Sequence, residues 1–186
     1  MREIALHLLD VAENGVAAGA SRIRIRVVES RPENRLELTV EDDGAGIPPE
    51  MLRQVTDPFV TSRTTRRVGL GLSLLKAAAE RCEGRFDIRS APGKGTRVAA
   101  SFRYDHIDRA PSGDIPGTMI LLMAGNPGID FEYVHEIDGE DFVLDTAEIR
   151  ETLGEVPLSD PAVTQQLREL SREAVAKLRT GPAPNG

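Results

Sequence analysis

The sequence predicts an α+β fold, and two kinds of pattern support this prediction. Apolar residues recur at helical spacing over about residues 2–18, and a second long helix is predicted from about 70 to 82. Strands are predicted at 21–28, 35–41, about 85–90 and about 95–103. Because short loops join these strands in pairs, we expect a sheet that packs against the helices.

The elements near the N-terminus have clear start and stop signals. Gly19 ends the first helix, whose apolar positions are Ile4, Leu8, Val11 and Ala12. The loop at 30–34 contains Pro and Asn and suits a hairpin between the first two strands. Pro48 and Pro49 open a short helix through about Val55, because proline fits the first helical turn.

Residues 105–117 shift in composition toward Pro, Gly, Ser and Asp, which predicts a linker. Beyond it we expect a short apolar helix at 118–124 and a hairpin around Asp138-Gly139. Two further helices begin at Asp145 and at Asp160-Pro161, where capping residues stand.

These signals divide the chain into a domain at 1–104, the linker, a small α+β C-terminal extension at 118–178 and a disordered tail at 179–186. The extension is short for an independent core, so we expect it to pack against the first domain or against a second subunit.

Composition limits the function. The chain has 186 residues, a net charge of -7 and one cysteine, so general affinity for nucleic acid or for anionic membranes is not expected. Acidic residues among the first apolar positions are unlike a secretory signal, and we expect a cytoplasmic protein. Cys82 is expected to be a buried side chain. Arg22, Arg24 and Arg26 share one strand face, which is either solvated or docks an acidic partner.

Three glycine-bearing runs follow the first helix in a fixed order. They are Asp42-Asp43-Gly44-Ala45-Gly46, Gly69-Leu70-Gly71-Leu72 and Gly93-Lys94-Gly95-Thr96. One such run alone usually marks a turn. Their order, spacing and positions at the ends of strands and helices predict a nucleotide site.

Asp10 and Asn14 are one helical turn apart and project from the same face of the first helix. An Asn oxygen is suited to Mg²⁺, which takes few protein ligands beside phosphates. Asp10 is suited to orient or deprotonate an attacking hydroxyl or water. Taken alone, the pair is more typical of an exposed polar helix face than of a site.

The glycine runs suggest how a nucleotide would be held. Asp42 can accept a hydrogen bond from the exocyclic amine of adenine, while Gly44 and Gly46 let the backbone approach a flat ring. The run at 69–72 lies where residues 56–69, predicted to be a mobile loop, enter a helix whose N–H groups can hold phosphate. Loop arginines such as Arg66 either close over the phosphates or are solvated.

These segments resemble the conserved boxes of the GHKL ATPase superfamily over residues 1–103. The resemblance implies a Bergerat-type two-layer α/β sandwich, with a mixed sheet and helices on one face, that binds ATP and Mg²⁺ beneath a lid. It also implies a set of site residues. Asn14 would be the magnesium ligand and Asp42 the adenine reader, with Gly44, Gly46, Ile47 and Thr96 at the base and Arg66, Gly69, Leu70, Gly71 and Leu72 at the phosphates.

The chain departs from the family pattern in two respects. The segment around Asn14 resembles mismatch-repair ATPases, whereas that around Gly69 resembles histidine kinases, as does Asp57-Pro58-Phe59. Asp10 stands where the family usually has Glu and is shorter by about 1.5 Å, which predicts slow or absent hydrolysis.

Two functions follow from the resemblance. One is a stand-alone protein kinase, similar to anti-sigma serine kinases, that uses Asp10 as a base on a separate protein. The other is an ATP-gated regulatory module. We expect no phosphoacceptor module, because His7, His106 and His135 are expected to be structural. A DNA-processing ATPase is disfavoured by the acidic charge, and a homodimer is left open.

Overall fold

The protein forms one six-stranded mixed sheet with helices on one face. This computed structural model describes residues 3–52, 54–55 and 71–181. In chain order its elements are α1 (Ile4–Ala17), β1 (Arg22–Ser30), β2 (Arg35–Asp42), α2 (Pro49–Leu52), α3 (Gly71–Arg81), β3 (Phe86–Ser90), β4 (Thr96–Arg103), α4 (Ile115–Gly125), β5 (Asp130–Ile137), β6 (Glu140–Asp145), α5 (Thr146–Leu153) and α6 (Pro161–Thr180).

The strand order is β3-β4-β2-β1-β5-β6. All neighbours are antiparallel except β1 and β5, which run parallel with Val27 opposite His135. A parallel pair needs a long crossover, and the chain between Ser30 and Asp130 supplies it. The predicted extension therefore does not build a sheet of its own but widens the first one.

Alternation along β1 decides which sheet face is covered. Ile23, Ile25 and Val27 are buried beneath the helices, whereas the arginines between them lie on the open face. Arg24 Nε is 3.1 Å from Glu132 Oε2, and Arg26 Nη2 is 2.6 Å from Glu136 Oε2. The charge of this arginine row is thus met by β5 of the same chain, which supports the solvated-face interpretation over docking of an acidic partner.

The segment predicted as a linker is bound to α1. Ile4 N donates to Pro111 O at 2.9 Å, and Ala5 N donates to Ser112 O at 3.0 Å. The apolar helix predicted from 118 begins earlier, at Ile115, because the Asp114 side chain caps it by accepting from Gly117 N. The segment around 111–117 is therefore part of the helical layer.

The C-terminal tail prediction is partly wrong. Asp160 caps α6 by accepting from Ala162 N and Val163 N, as predicted, but the helix continues through Thr180 rather than ending at Leu178. Residues 179 and 180 are therefore helical, and 182–186 lie outside the described residues. No described helix has the length and apolar character needed to cross a bilayer.

A buried polar cluster ties α6 to the sheet at the C-terminal end of β1. Glu29, 1% exposed, lies 2.8 Å from His135 Nε2 and 2.6 Å from Arg179 Nη2. Tyr133 Oη is 2.6 Å from His135 Nδ1. Burial alone would raise the pKa of Glu29, but hydrogen bonds from His135 and Arg179 outweigh it and lower the pKa to about 2. His135 is structural, as predicted, and Cys82 is buried, as predicted.

Candidate nucleotide site

A cavity of about 230 Å³ opens between α1, the loop after β2 and the start of β4. Most of its wall is apolar, and Asn14, Asp42 and Thr96 supply the polar side chains. The other lining residues are Val11, Ala17, Ala18, Val40, Ala45, Gly46, Ile47, Pro48, Met51, Leu72 and Val98. An apolar slot with a few placed polar groups is the usual form of a small-molecule site.

Asp42 is the last residue of β2 and stands opposite Thr96 in the register with β4. Its Oδ1 accepts from Gly44 N at 2.9 Å. Burial raises the pKa of Asp42, while hydrogen bonds from the backbone N–H groups of Gly44 and Thr96 oppose that rise. Asp42 also lines the cavity, and a carboxylate has more acceptor sites than these two bonds occupy.

Asp43 holds the neighbouring chain in place. It accepts from Ser21 N at 2.7 Å, from Arg22 N at 2.8 Å and from Ser21 Oγ at 2.5 Å. The Ser21 hydroxyl and these backbone bonds lower the pKa of Asp43. Asp43 therefore stabilises the junction of β1 and β2, whereas Asp42 lines the cavity. The sequence alone does not distinguish the roles of these adjacent aspartates.

The glycines bring the loops close to Asp42. Gly46 has φ +71°, and a side chain there would collide with the Ala91 carbonyl. Gly95 has φ +73°, and a side chain there would collide with the Asp42 carbonyl. Both positions require glycine, because of the positive φ and because of the close backbone contact. The first and third glycine runs therefore lie against each other in the structure, which explains why both carry glycines.

Ser90 was not predicted as a site residue, yet it joins both runs. Its Oγ accepts from Ile47 N at 2.8 Å, lies 2.8 Å from Gly95 O and lies 2.9 Å from Thr96 Oγ1. The signal available in the sequence was its position as the last residue of the strand before the Gly93–Thr96 run.

Asp10 lies on α1 one turn before Asn14 and faces the start of α3. A Cβ placed on Gly71 would stand 3.0 Å from Asp10 Cβ. Asp10 is half-buried, and burial raises its pKa. The side chains of Asn14 and Leu72 line the cavity itself. The first helix and the second glycine run therefore meet at Asp10.

Six of the predicted site residues line the same cavity: Asn14, Asp42, Gly46, Ile47, Leu72 and Thr96. Gly44 is hydrogen-bonded to Asp42, and Asp10 and Gly71 contact each other beside the cavity. The whole of the predicted lid at 56–69, with the 57–59 segment, Arg66 and Gly69, lies outside the described residues, as does Leu70. Their predicted roles remain predictions.

Residues 1–106 match the family model of histidine kinase-, DNA gyrase B- and HSP90-like ATPases. This chain belongs to that family. The matched span includes α1 and all three glycine runs, and it confirms the resemblance predicted from them. Residues 1–106 are therefore a GHKL-type ATP-binding domain.

Relatives of this GHKL ATPase include sensor histidine kinases. AruS of Pseudomonas aeruginosa is 36% identical over 102 residues, which are 52% of this chain and 10% of AruS. YxdK of Bacillus subtilis is 40% identical over 74 residues, which are 38% of this chain and 23% of YxdK. The chain thus spans less than a quarter of the length of these two relatives.

Solved structures share the fold beyond the family match. The MutL ATPase domain of Aquifex aeolicus, complexed with ADP, has a TM-score of 0.52 at 10% identity and covers 98% of this GHKL ATPase and 99% of its own chain. The N-terminal domain of a DNA repair protein has a TM-score of 0.57 at 15% identity, covering 78% and 53%. The predicted α+β sandwich is confirmed, and the MutL likeness includes the part beyond residue 106.

Proposed function

We propose that this GHKL ATPase binds Mg-ATP and transfers the γ-phosphate to a separate protein, as a cytoplasmic signalling kinase. The observation that carries the proposal is that Asp42 and Asn14 are two of the few polar side chains lining a mostly apolar cavity. The apolar wall would contact the faces of a base. The Asp42 carboxylate would accept from an exocyclic amine.

The size of the slot suits the base rather than the whole nucleotide. Pockets that bury a drug-sized ligand have about 300–1,000 Å³, and this cavity has about 230 Å³. The ribose and phosphates would therefore extend outward along α1 toward Gly71, the first residue of α3. The positive end of the helix dipole at that helix start would favour phosphate oxygens.

Asn14 fits a magnesium ion that is shared with the phosphates. Its side chain is half-buried at the cavity and offers an amide oxygen, the hard ligand type that Mg²⁺ prefers. The described residues contain no cluster of three or more His, Cys, Asp or Glu that could hold a metal. A site with one protein oxygen and phosphate ligands matches this donor set, and the bound ion would neutralise charge on the phosphates.

Asp10 is the proposed base. Its pKa is raised by burial, which makes the carboxylate a better proton acceptor. In the proposed step an acceptor oxygen of the partner protein bonds to the γ-phosphorus, the bond to the bridging oxygen breaks, and ADP leaves. Asp10 takes the proton of the acceptor hydroxyl.

The histidines of the described chain do not suit a phosphoacceptor. His7 is 2% exposed, and His135 is fully buried in the Glu29 cluster. His106 is half-buried and lies beyond β4. These placements support an acceptor on another protein.

The test is transfer of labelled γ-phosphate to proteins of a native cell extract. Wild-type protein should label a partner band, and Asp10→Ala should remove that label while it retains ADP binding. Glu13→Ala is the matched control, because Glu13 is exposed on the same helix. Label that persists in Asp10→Ala contradicts the assigned base.

A second candidate, the ATP-gated module, is favoured by one contact. The start of α1 is bonded through its backbone to Pro111 and Ser112, so movement of α1 on nucleotide binding would reach the C-terminal part. Nucleotide binding without transfer or turnover, together with altered hydrogen exchange at 109–117, would support this module over the kinase.

A further inference from the structure

Ser90 lies outside the glycine runs, at the end of β3, yet its hydroxyl contacts three groups at the edge of the cavity. Ile47 N lies 2.8 Å from its Oγ, Gly95 O lies 2.8 Å away, and Thr96 Oγ1 lies 2.9 Å away. Ile47 and Thr96 both line the cavity. A single side chain therefore joins the two loops that flank Asp42.

Counting donors and acceptors fixes the direction of each bond. A serine hydroxyl has one proton and two lone pairs. The Ile47 N–H occupies one lone pair, and the Gly95 carbonyl, which only accepts, takes the proton. One lone pair remains, so the bond between Ser90 and Thr96 must be donated by the Thr96 hydroxyl.

This direction determines what Thr96 presents to a ligand. With its only proton held by Ser90, the Thr96 hydroxyl has only lone pairs left for the cavity. Asp42, directly opposite Thr96 in the register, is also an acceptor. Asp42 and Thr96 therefore offer acceptors to the cavity from two neighbouring strands, and Thr96 offers no hydroxyl donor.

We infer that Ser90 is a positioning residue that sets the preference of the site for 6-aminopurines over 6-oxopurines. This inference rests on the proposed nucleotide site. A 6-amino group has two protons for acceptors, whereas a 6-oxopurine brings a further acceptor at this position and keeps only its N1–H as a donor on this edge, so that a cavity acceptor is left unpaired, which is costly. Ser90 enforces this by preventing the Thr96 hydroxyl from turning its proton toward the base.

The competing explanation is that Ser90 only braces the turn between β3 and β4. If Ser90 only stabilised this turn, removal of its hydroxyl would weaken the binding of every purine nucleotide to the same degree. Loss of the orienting bond would instead free the Thr96 proton, which could then be donated to a 6-oxo group. The ratio of the two affinities separates these explanations.

The experiment measures ADP and IDP binding by calorimetry with Mg²⁺, on the full chain. Ser90→Ala should weaken ADP binding by roughly 3–10-fold, the worth of one neutral hydrogen bond, and weaken IDP binding less or strengthen it. The ADP-to-IDP affinity ratio should therefore fall about tenfold. Ser90→Thr, which keeps the hydroxyl, should retain the wild-type ratio.

Two further variants complete the test. Thr96→Val should lower the ratio by itself, and Ser90→Ala should lower it no further in that background, because the two act through one hydrogen bond. Ser101→Ala is the control, since Ser101 Oγ accepts only at the far end of β4, from Arg85 N at 3.0 Å. It should leave the ratio unchanged.

An ADP-to-IDP ratio that is unchanged in Ser90→Ala and in Thr96→Val overturns the inference while the proposed ATP site stands. Failure of wild-type protein to bind ADP at all overturns both.

Discussion

Gly71 lies against Asp10, because a Cβ on Gly71 would stand 3.0 Å from Asp10 Cβ and 3.1 Å from Asp10 Oδ2. The first turn of α3 and the proposed base on α1 are therefore in direct contact. A helix start that holds phosphate oxygens would place them beside this carboxylate. In the proposed mechanism this contact would link nucleotide binding to phosphoryl transfer.

Gly71→Ala should impair transfer more than it impairs ADP binding. The added methyl group pushes on Asp10, and overpacking of this kind costs about 1–3 kcal/mol. We expect the rate of phosphoryl transfer or hydrolysis to fall roughly tenfold, as about 1.4 kcal/mol does. Rate and affinity are measured on the same preparation, with exposed Leu74→Ala on α3 as control. An unchanged rate would show that the contact does not position Asp10.

Gly93→Ala and Gly95→Ala form a matched pair. Both glycines have positive φ, +70° and +73°, but a Cβ at 93 meets nothing within 4 Å, whereas one at 95 collides with the Asp42 carbonyl. We expect Gly93→Ala to lower the free energy of unfolding by about 1–2 kcal/mol from backbone strain. Gly95→Ala should cost a further ~1–3 kcal/mol and abolish ADP binding. Equal losses in urea denaturation would contradict the close approach of these loops.

His7 should make the fold sensitive to mild acid. It is 2% exposed, and burial lowers its pKa from 6.5 to about 4. As the pH falls below 6.5, His7 becomes protonated in the unfolded chain, whereas in the folded chain it stays neutral down to about pH 4. The free energy of unfolding therefore falls as the pH drops from 6.5 to 4. The loss is about 3 kcal/mol at most.

The measurement for His7 is urea denaturation between pH 7 and pH 4. His7→Leu should flatten the dependence on pH between 6.5 and 4 relative to wild type, because no titrating group remains at this position. Curves that stay parallel over this window would contradict the assignment.

Glu29→Gln should destabilise the protein strongly. The buried Glu29 carboxylate is hydrogen-bonded to buried His135 and paired with Arg179, whose side chain is 41% exposed. Breaking a fully buried pair from one side costs about 3–5 kcal/mol, and we expect the lower end of that range here because Arg179 is partly solvated. Glu37→Gln is the control, because Glu37 is only half-buried, lies on the open sheet face and pairs with Arg35 at 3.1 Å. It should change stability by less than about 1 kcal/mol. Similar effects of both substitutions would show that the cluster contributes little.

The order of helices and strands and the presence of a mixed sheet were largely predictable from the sequence, but the pairing of β5 and β6 with that sheet was not. Local periodicity and capping residues such as Asp160 located most of the elements. The parallel pairing of β1 with β5 joins segments more than 100 residues apart, and no local signal specifies it. Opposite charges on matching faces, Arg24 and Arg26 against Glu132 and Glu136, were the one available indication.

At the site, the residues with distinctive chemistry or conformation were predictable, and those that orient them were not. Asp42 and Gly46 were predicted because they belong to the first glycine run. Ser90 and Asp43 act through hydrogen bonds that form only when separate loops meet. The cavity wall contributed by Met51 and Val98 depends on the same tertiary arrangement.

The most direct test of the account is calorimetric titration of ADP with Mg²⁺ into wild-type protein and Asp42→Ala. Wild-type protein should bind, and the variant should bind roughly 10–100-fold more weakly, since a hydrogen bond to a charged group contributes about 1.5–3 kcal/mol. Absence of heat with wild-type protein, or equal affinity in the variant, would contradict the proposal that Asp42 reads the base.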